Sequence, residues 1–235
     1  VLDEGVVELK TLPEIEATIR TTPEPSNSQL NTWFKHLLKN DQIFVLQAQN
    51  EQDPIPEDLL GYPIRAMPLK ADNGRRQVAD YQFKVKNTWG SFIVERKSMA
   101  DLYGTLFSRN YTTKEKQRDR LYREISRFNE DDRFDKFIIM VEGSLEEFLK
   151  YIPLKERHTE SEYWVKVSKM LNAKKATLNS LQVRPGVQLI FCGSRSDMIE
   201  QYRDMIRQWT LQNWKEILGC AEVEQVCDAG RLGFV

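Results

Sequence analysis

Apolar positions recur along this chain with two periods, and the switches between them mark an alternating order of helices and strands. From Asn27 to Lys39 the residues Leu30, Trp33, Phe34, Leu37 and Leu38 fall at helical spacing, which predicts an amphipathic helix. Ile43 to Ala48 predicts a strand, Pro54-Ile55-Pro56 a break, and Tyr62 to Leu69 a second strand. Ala71-Asp72-Asn73-Gly74 is a turn signal. Val78–Lys86 and Ser91–Lys97 are alternating runs joined by Asn87-Thr88-Trp89-Gly90, so they predict a β-hairpin. Ser98 and Asp101 form a capping-box pattern that predicts a helix from Met99 to about Ser108. A further helix starts at Thr112-Thr113-Lys114-Glu115 and continues to about Phe128. Lys136–Glu142 has the unbroken apolar middle of a strand buried on both faces. Ser144-Leu145-Glu146-Glu147 caps another helix, Glu160 to Leu181 is mostly helical, Val187–Cys192 is a strand, and Asp197 to Leu218 is a closing amphipathic helix. The first residues read as an arm ending in the Pro-rich link Thr21-Thr22-Pro23-Glu24-Pro25-Ser26. The expected division is therefore an arm over 1–26, one domain over 27–218, and a tail or linker over 219–235. Alternating strands and helices imply an α/β sandwich with a central mixed sheet.

Composition narrows the class of protein. A chain of 235 residues with 40% hydrophobic and 29% charged residues has the balance of a globular domain, which excludes wholesale disorder. The longest apolar run, Phe137-Ile138-Ile139-Met140-Val141, is far short of the roughly 18 residues that span a bilayer, so no membrane partner is expected. Lys and Arg number 34 against 35 Asp and Glu, so any attraction to nucleic acid must come from a local patch. Cys192, Cys220 and Cys227 show no metal-binding spacing, and His36 and His158 are far apart. A zinc site and a disulfide framework are thus disfavoured, and an intracellular, reducing setting is expected. The chain opens on Val-Leu-Asp-Glu without a basic-then-apolar leader, which reads as a fragment lacking a secretory signal.

The hairpin carries the chemistry. A turn centred between Thr88 and Trp89 pairs Tyr81 with Arg96, Phe83 with Val94 and Val85 with Phe92 on one, mostly apolar face. The other face pairs Asp80 with Lys97 and Gln82 with Glu95, gathering two acids and a lysine at one end. Carboxylates that close repel unless a cation lies between them, and Mg²⁺ or Mn²⁺ with its preference for oxygen is the natural occupant. Lys97 cannot ligate such an ion, but it can orient a water and stabilise charge developing on phosphorus. The same three residues would also serve as a solvated salt-bridge ladder. Asp101 reads first as a helix cap, and Arg96 points away from Glu95 and Lys97 and is expected to brace the fold.

Val78-Ala79-Asp80-Tyr81 followed by Val94-Glu95-Arg96-Lys97-Ser98 and Asp101 resembles the nuclease domain of XPF-type structure-specific DNA endonucleases, within the PD-(D/E)xK superfamily. The family signature is G-D-Y followed by E-R-K-x-x-x-D. Met140-Val141-Glu142-Gly143 is similar to the end of the family's next strand, and Leu189-Ile190-Phe191-Cys192 with Gly193-Ser194-Arg195 to its last strand and turn. The resemblance implies a restriction-endonuclease-like three-layer sandwich. It also implies Asp80 and Glu95 as metal ligands, Lys97 as the third catalytic group, Arg96 and Asp101 in support, and cleavage of branched or flap-like DNA in repair or recombination. Family members commonly act as homodimers or heterodimers. There are two departures: Ala79 replaces the glycine, and Leu46-Gln47-Ala48-Gln49 stands where the family's first strand ends in D-x-R-E. Glu51, Asp53 and Glu57 are the acids that follow. A catalytically weak or inactive DNA-binding or dimerisation module is therefore the alternative.

The segment from Lys114 to Arg127 carries six basic residues against three acids. On a helix Lys116, Arg120, Arg123 and Arg127 share a face, either as a solvated surface or as phosphate contacts that position a duplex without reading its sequence. Arg109, just ahead of this segment, and Arg75 and Arg76, in the loop entering the hairpin, are candidates for the same DNA.

Overall fold

A computed structural model describes residues 10–49, 51, 53–67, 78–107, 117–154 and 159–219, with the backbone alone at 117–120. One mixed sheet contains β1 (Ile43–Ala48), β2 (Ile64–Met67), β3 (Tyr81–Val85), β4 (Thr88–Trp89), β5 (Phe92–Ser98), β6 (Lys136–Glu142) and β7 (Val187–Phe191). The strand order is β2-β1-β3-β5-β6-β7, with β4 paired to β3. β3 is antiparallel to both β1 and β5, while β2 on β1 and the run β5-β6-β7 are parallel.

Helices cover both faces, which makes three layers. One face packs Val45, Tyr81, Phe83, Val94 and Met140 against α1 (Leu12–Thr21), α2 (Asn27–Lys39), α8 (Arg195–Gln212) and two short turns, α3 (Glu57–Leu60) and α9 (Trp214–Ile217). The other packs Ile93, Phe137, Ile139 and Val141 against α4 (Met99–Phe107), α5 (Gln117–Asn129), α6 (Leu145–Lys150) and α7 (Glu160–Gln182). Phe137 to Val141 are all buried, as a strand covered on both sides requires. The expected α/β sandwich is the observed fold.

Three local expectations change. The arm contains α1, because Leu12, Ile15 and Ile19 form an apolar stripe, Thr11 and Glu14 make a capping box, and Pro13 suits the first turn. The closing helix begins at Arg195, capped by Ser194, and breaks at Asn213 before α9. In the hairpin, Lys86 takes a left-handed φ of 56° and the chain turns there, so Val85 pairs with Thr88 and Lys84 with Trp89. Gly90 and Ser91 then intervene before β5, whose Val94 faces Tyr81 where Arg96 was expected. The register moves by two residues, so every side chain keeps its face.

Gly90 explains the offset. Its amide donates to the Phe83 carbonyl at 3.0 Å, and a Cβ there would lie 2.0 Å from the Phe83 ring. Phe83 is fixed by Phe92 and Trp209, with ring centroids at 4.8 and 5.2 Å, so it has no room to yield. Gly90→Ala is expected to cost about 2 kcal/mol in urea unfolding through this overpacking; an unchanged midpoint would contradict the tight approach.

Lys174 is fully buried on α7 and donates to the carbonyls of Phe148, Leu149 and Tyr151 at 2.8, 3.0 and 2.6 Å, closing the end of α6. Burial lowers its pKa from the ordinary 10.5 to about 8. Between those values the unfolded chain holds the extra proton, so this group's contribution makes stability rise with pH. Urea curves across that window are expected to show the rise in the parent chain relative to Lys174→Met; equal slopes would contradict it.

Candidate functional site

The antiparallel pairs at β3 assemble the site. Ala48 donates its amide to the Asp80 carbonyl at 2.8 Å, which fixes the residue just before β3. One step back from the Tyr81–Val94 pair, Asp80 lies across from Glu95. Asp80 Oδ2 also accepts the Arg96 amide at 2.9 Å. Glu95 and Lys97 share the face of Ile93, toward α4, α5 and α7, because side chains alternate along β5. Lys97 Nζ donates to Glu95 Oε1, and Glu95 is only 4% exposed. Asp80, Glu95 and Lys97 are thus brought together, with Asp80 and Glu95 the directly opposed pair.

The electrostatics reflect crowding of like charge. Burial first, and then the charge of Glu95, push the Asp80 carboxyl well above the usual carboxylate range; Lys97 and the Arg96 amide oppose this and lose. Burial acts to discharge Lys97, but Glu95, Asp80 and Glu124 together outweigh it and hold the ammonium above the ordinary lysine range. Among the described residues, no group of three or more His, Cys, Asp or Glu converges as a metal cage.

Arg96 leaves β5 on the opposite face, as expected, and ties several segments together. Its Nε donates to Glu142 at 2.7 Å, one terminal nitrogen to Glu51 at 3.0 Å and the other to Asp53 at 2.7 Å. Arg195, at the start of α8, pairs with the same Asp53 carboxylate and donates to the Asp53 and Pro54 carbonyls at 3.2 and 2.9 Å. The loop after β1 is thereby clamped to the ends of β5 and β6. The sequence alone assigns no role to Glu142 or Arg195, although the Glu142-Gly143 and Ser194-Arg195 turns stand out in it.

Glu51 and Asp53 therefore serve Arg96, and Glu57 accepts the Ile64 amide at 2.9 Å. Leu46 is the cross-strand partner of Gln82, so Phe44, Leu46 and Ala48 are the β1 side chains on the face of Asp80 and Glu95. That face receives no charge from β1. Asp101 is a cap: Ser98 Oγ donates to Asp101 Oδ2 at 2.6 Å and accepts the Asp101 amide at 3.1 Å, and Asp101 is exposed. Its support is to the start of α4 and not to the acidic pair. Of the basic candidates, Arg75, Arg76, Arg109 and Lys116 lie outside the described residues, as does the side chain of Arg120. Arg123 is exposed on α5, while Arg127 is half-buried with its Nε enclosed and without a hydrogen-bond partner.

The ERCC4 domain family matches residues 41–205, a span from the approach to β1 into α8 that contains the acidic pair, Lys97 and the Arg96 cluster. The chain belongs to the ERCC4 domain family, the XPF-type nuclease domains. Among solved structures, XPF from Aeropyrum pernix is similar at 21% identity, covering 73% of this chain and 72% of that one with a TM-score of 0.40. No curated protein matches the chain. No helix among the described residues is long and apolar enough to cross a membrane.

Because native Asp80 retains its proton to higher pH than an unfolded aspartate near 3.8, its contribution to stability falls as pH rises through that interval. Asp80→Asn keeps an acceptor for the Arg96 amide and removes the repulsion. In urea unfolding with a chelator present, this variant is expected to be more stable than the parent, by a margin that grows from pH 4 to pH 7 (about the carboxylate-to-neutral range). A less stable variant would contradict the crowded pair.

Proposed function

We propose that this domain is a Mg²⁺- or Mn²⁺-dependent endonuclease that hydrolyses phosphodiester bonds in branched or flap-like DNA. The observation that carries the reading is half-buried Asp80 opposite buried Glu95, with Lys97 on the same face, inside an ERCC4 domain. The donor set fits the ion: two hard carboxylates whose mutual repulsion a divalent cation would relieve, in keeping with magnesium sites that use one or two carboxylates and leave positions for water and phosphate. When bound, such an ion supplies an activated water and a grip on a phosphate oxygen. Asp80 and Glu95 would hold it. Lys97, kept charged by its acidic neighbours, would orient the water and offset charge growing on the phosphate. Arg96 contributes at a distance, by locking the strand end that carries Glu95 and Lys97.

DNA would be held through its phosphates by Arg123 and Arg127 on α5, with Arg75, Arg76, Arg109, Lys116 and Arg120 as further candidates. Such contacts position a duplex without reading bases, which suits recognition by shape. A second copy or a related subunit would complete the grip on a branch, in an intracellular repair or recombination setting. One observation favours a second reading. Leu46 and Ala48 give the active face no charge from β1, as in a domain that binds DNA or a partner without cutting.

Labelled fork and flap DNA with Mn²⁺ distinguishes the two. The parent chain is expected to cut near the junction, and Asp80→Ala or Lys97→Ala to reduce the rate by about a hundredfold or more. Cutting that survives both variants would discard the assignment. Salt-sensitive binding with no cutting would establish the second reading.

A further inference from the structure

Lys97 is engaged by Glu95, yet the oxygens of Glu95 are the ones a metal would need. Ammonium and cation compete for one carboxylate. A buried ammonium released without another anion nearby pays its desolvation penalty in full, so a lysine that serves such a site needs somewhere else to rest.

The inward stripe of α5 provides that place. Leu121, Ile125 and Phe128 are its buried apolar residues, and Glu124 sits among them at 6% exposure. A carboxylate seldom occupies the centre of an apolar stripe. The Phe128 ring lies 5.8 Å from that of Phe137, and Phe137 is the strand partner of Ile93. Going back along α5 from Phe128, Glu124 lies about 6 Å up the helix. Going forward along β5 from Ile93, Glu95 lies about 7 Å up the strand. Both α5 and Ile93 belong to the same core layer, so Glu124 comes level with Glu95 on the face that carries Lys97. The charge of Glu124 accordingly acts on Lys97 along with those of Glu95 and Asp80.

We propose that Glu124 is a positioning residue: a second anionic seat for the Lys97 ammonium, which lets the lysine leave Glu95 for a metal and stay at the site. This rests on the nuclease reading for its purpose but not for the level of Glu124 on the face of Lys97. Glu124 compensates on the helix side for the charge that β1 does not deliver, and it does so through the lysine and not as a ligand, since no three acids converge among the described residues.

A double-mutant cycle tests it without metal or DNA. Urea unfolding in a chelating buffer is measured for the parent, Glu124→Gln, Lys97→Met and the double variant, with Lys97→Gln as a second choice for the lysine. In the presence of Lys97, Glu124→Gln is expected to shift the unfolding equilibrium about tenfold toward the unfolded chain. In the Lys97→Met background the same change is expected to shift the equilibrium clearly less, because the ammonium that Glu124 serves is gone. This difference between backgrounds is not a packing effect, since glutamine has the shape of glutamate in either. The same shift in both backgrounds would overturn the proposal. Absence of DNA cleavage with the coupling intact would discard the nuclease reading alone.

Discussion

Two carboxylates are pressed together at the end of β3 and β5 with one ammonium to share, and the design of this domain follows from that imbalance. Asp80 is driven toward its neutral form by burial and by Glu95, while Lys97 is bound to Glu95 and held charged by its surroundings. Proteins whose only demand is stability do not arrange acids in this way, because an apolar pair in their place would be neutral or better. Strain of this kind concentrates where chemistry is done.

Strand β5 organises charge on both of its faces. Glu95 and Lys97 point toward α4 and α5, while Arg96 between them points the other way into Glu142, Glu51 and Asp53. The period of two residues that separates core from solvent elsewhere here separates an acidic pair with its lysine from an arginine-centred ion-pair clamp. The clamp joins four segments: the loop after β1, β5, β6 and, through Arg195, the start of α8. The Arg96 amide on the same strand holds Asp80 Oδ2, so the clamp braces the β5 side of the acidic pair.

Much of this was legible in the sequence, for definite reasons. Alternation placed Asp80, Glu95 and Lys97 on one face and Arg96 on the other, and face membership survives a shift of two residues in register. The register is not legible there, since Lys86 in a left-handed turn leaves no mark in composition, whereas Gly90 reads as part of the turn although it relieves a clash with Phe83. Helix α1 is hidden in the sequence because three apolar residues beside a Pro-rich link read as an arm; its burial depends on α2, a contact that local pattern does not encode. Glu142, Arg195 and Glu124 were beyond reach for the same reason. Each acts across 27 or more positions of chain, as from Lys97 to Glu124, and only packing brings such residues together. Asp101 gave a correct signal with two meanings, and its hydrogen bonds to Ser98 select the cap.

Anomalous diffraction from crystals soaked in Mn²⁺ puts the central claim to its most direct test. The account requires a peak between the carboxylates of Asp80 and Glu95, with the Lys97 ammonium withdrawn from Glu95. Crystals that take up no manganese there, and in which Lys97 still grips Glu95 at saturating metal, would contradict it.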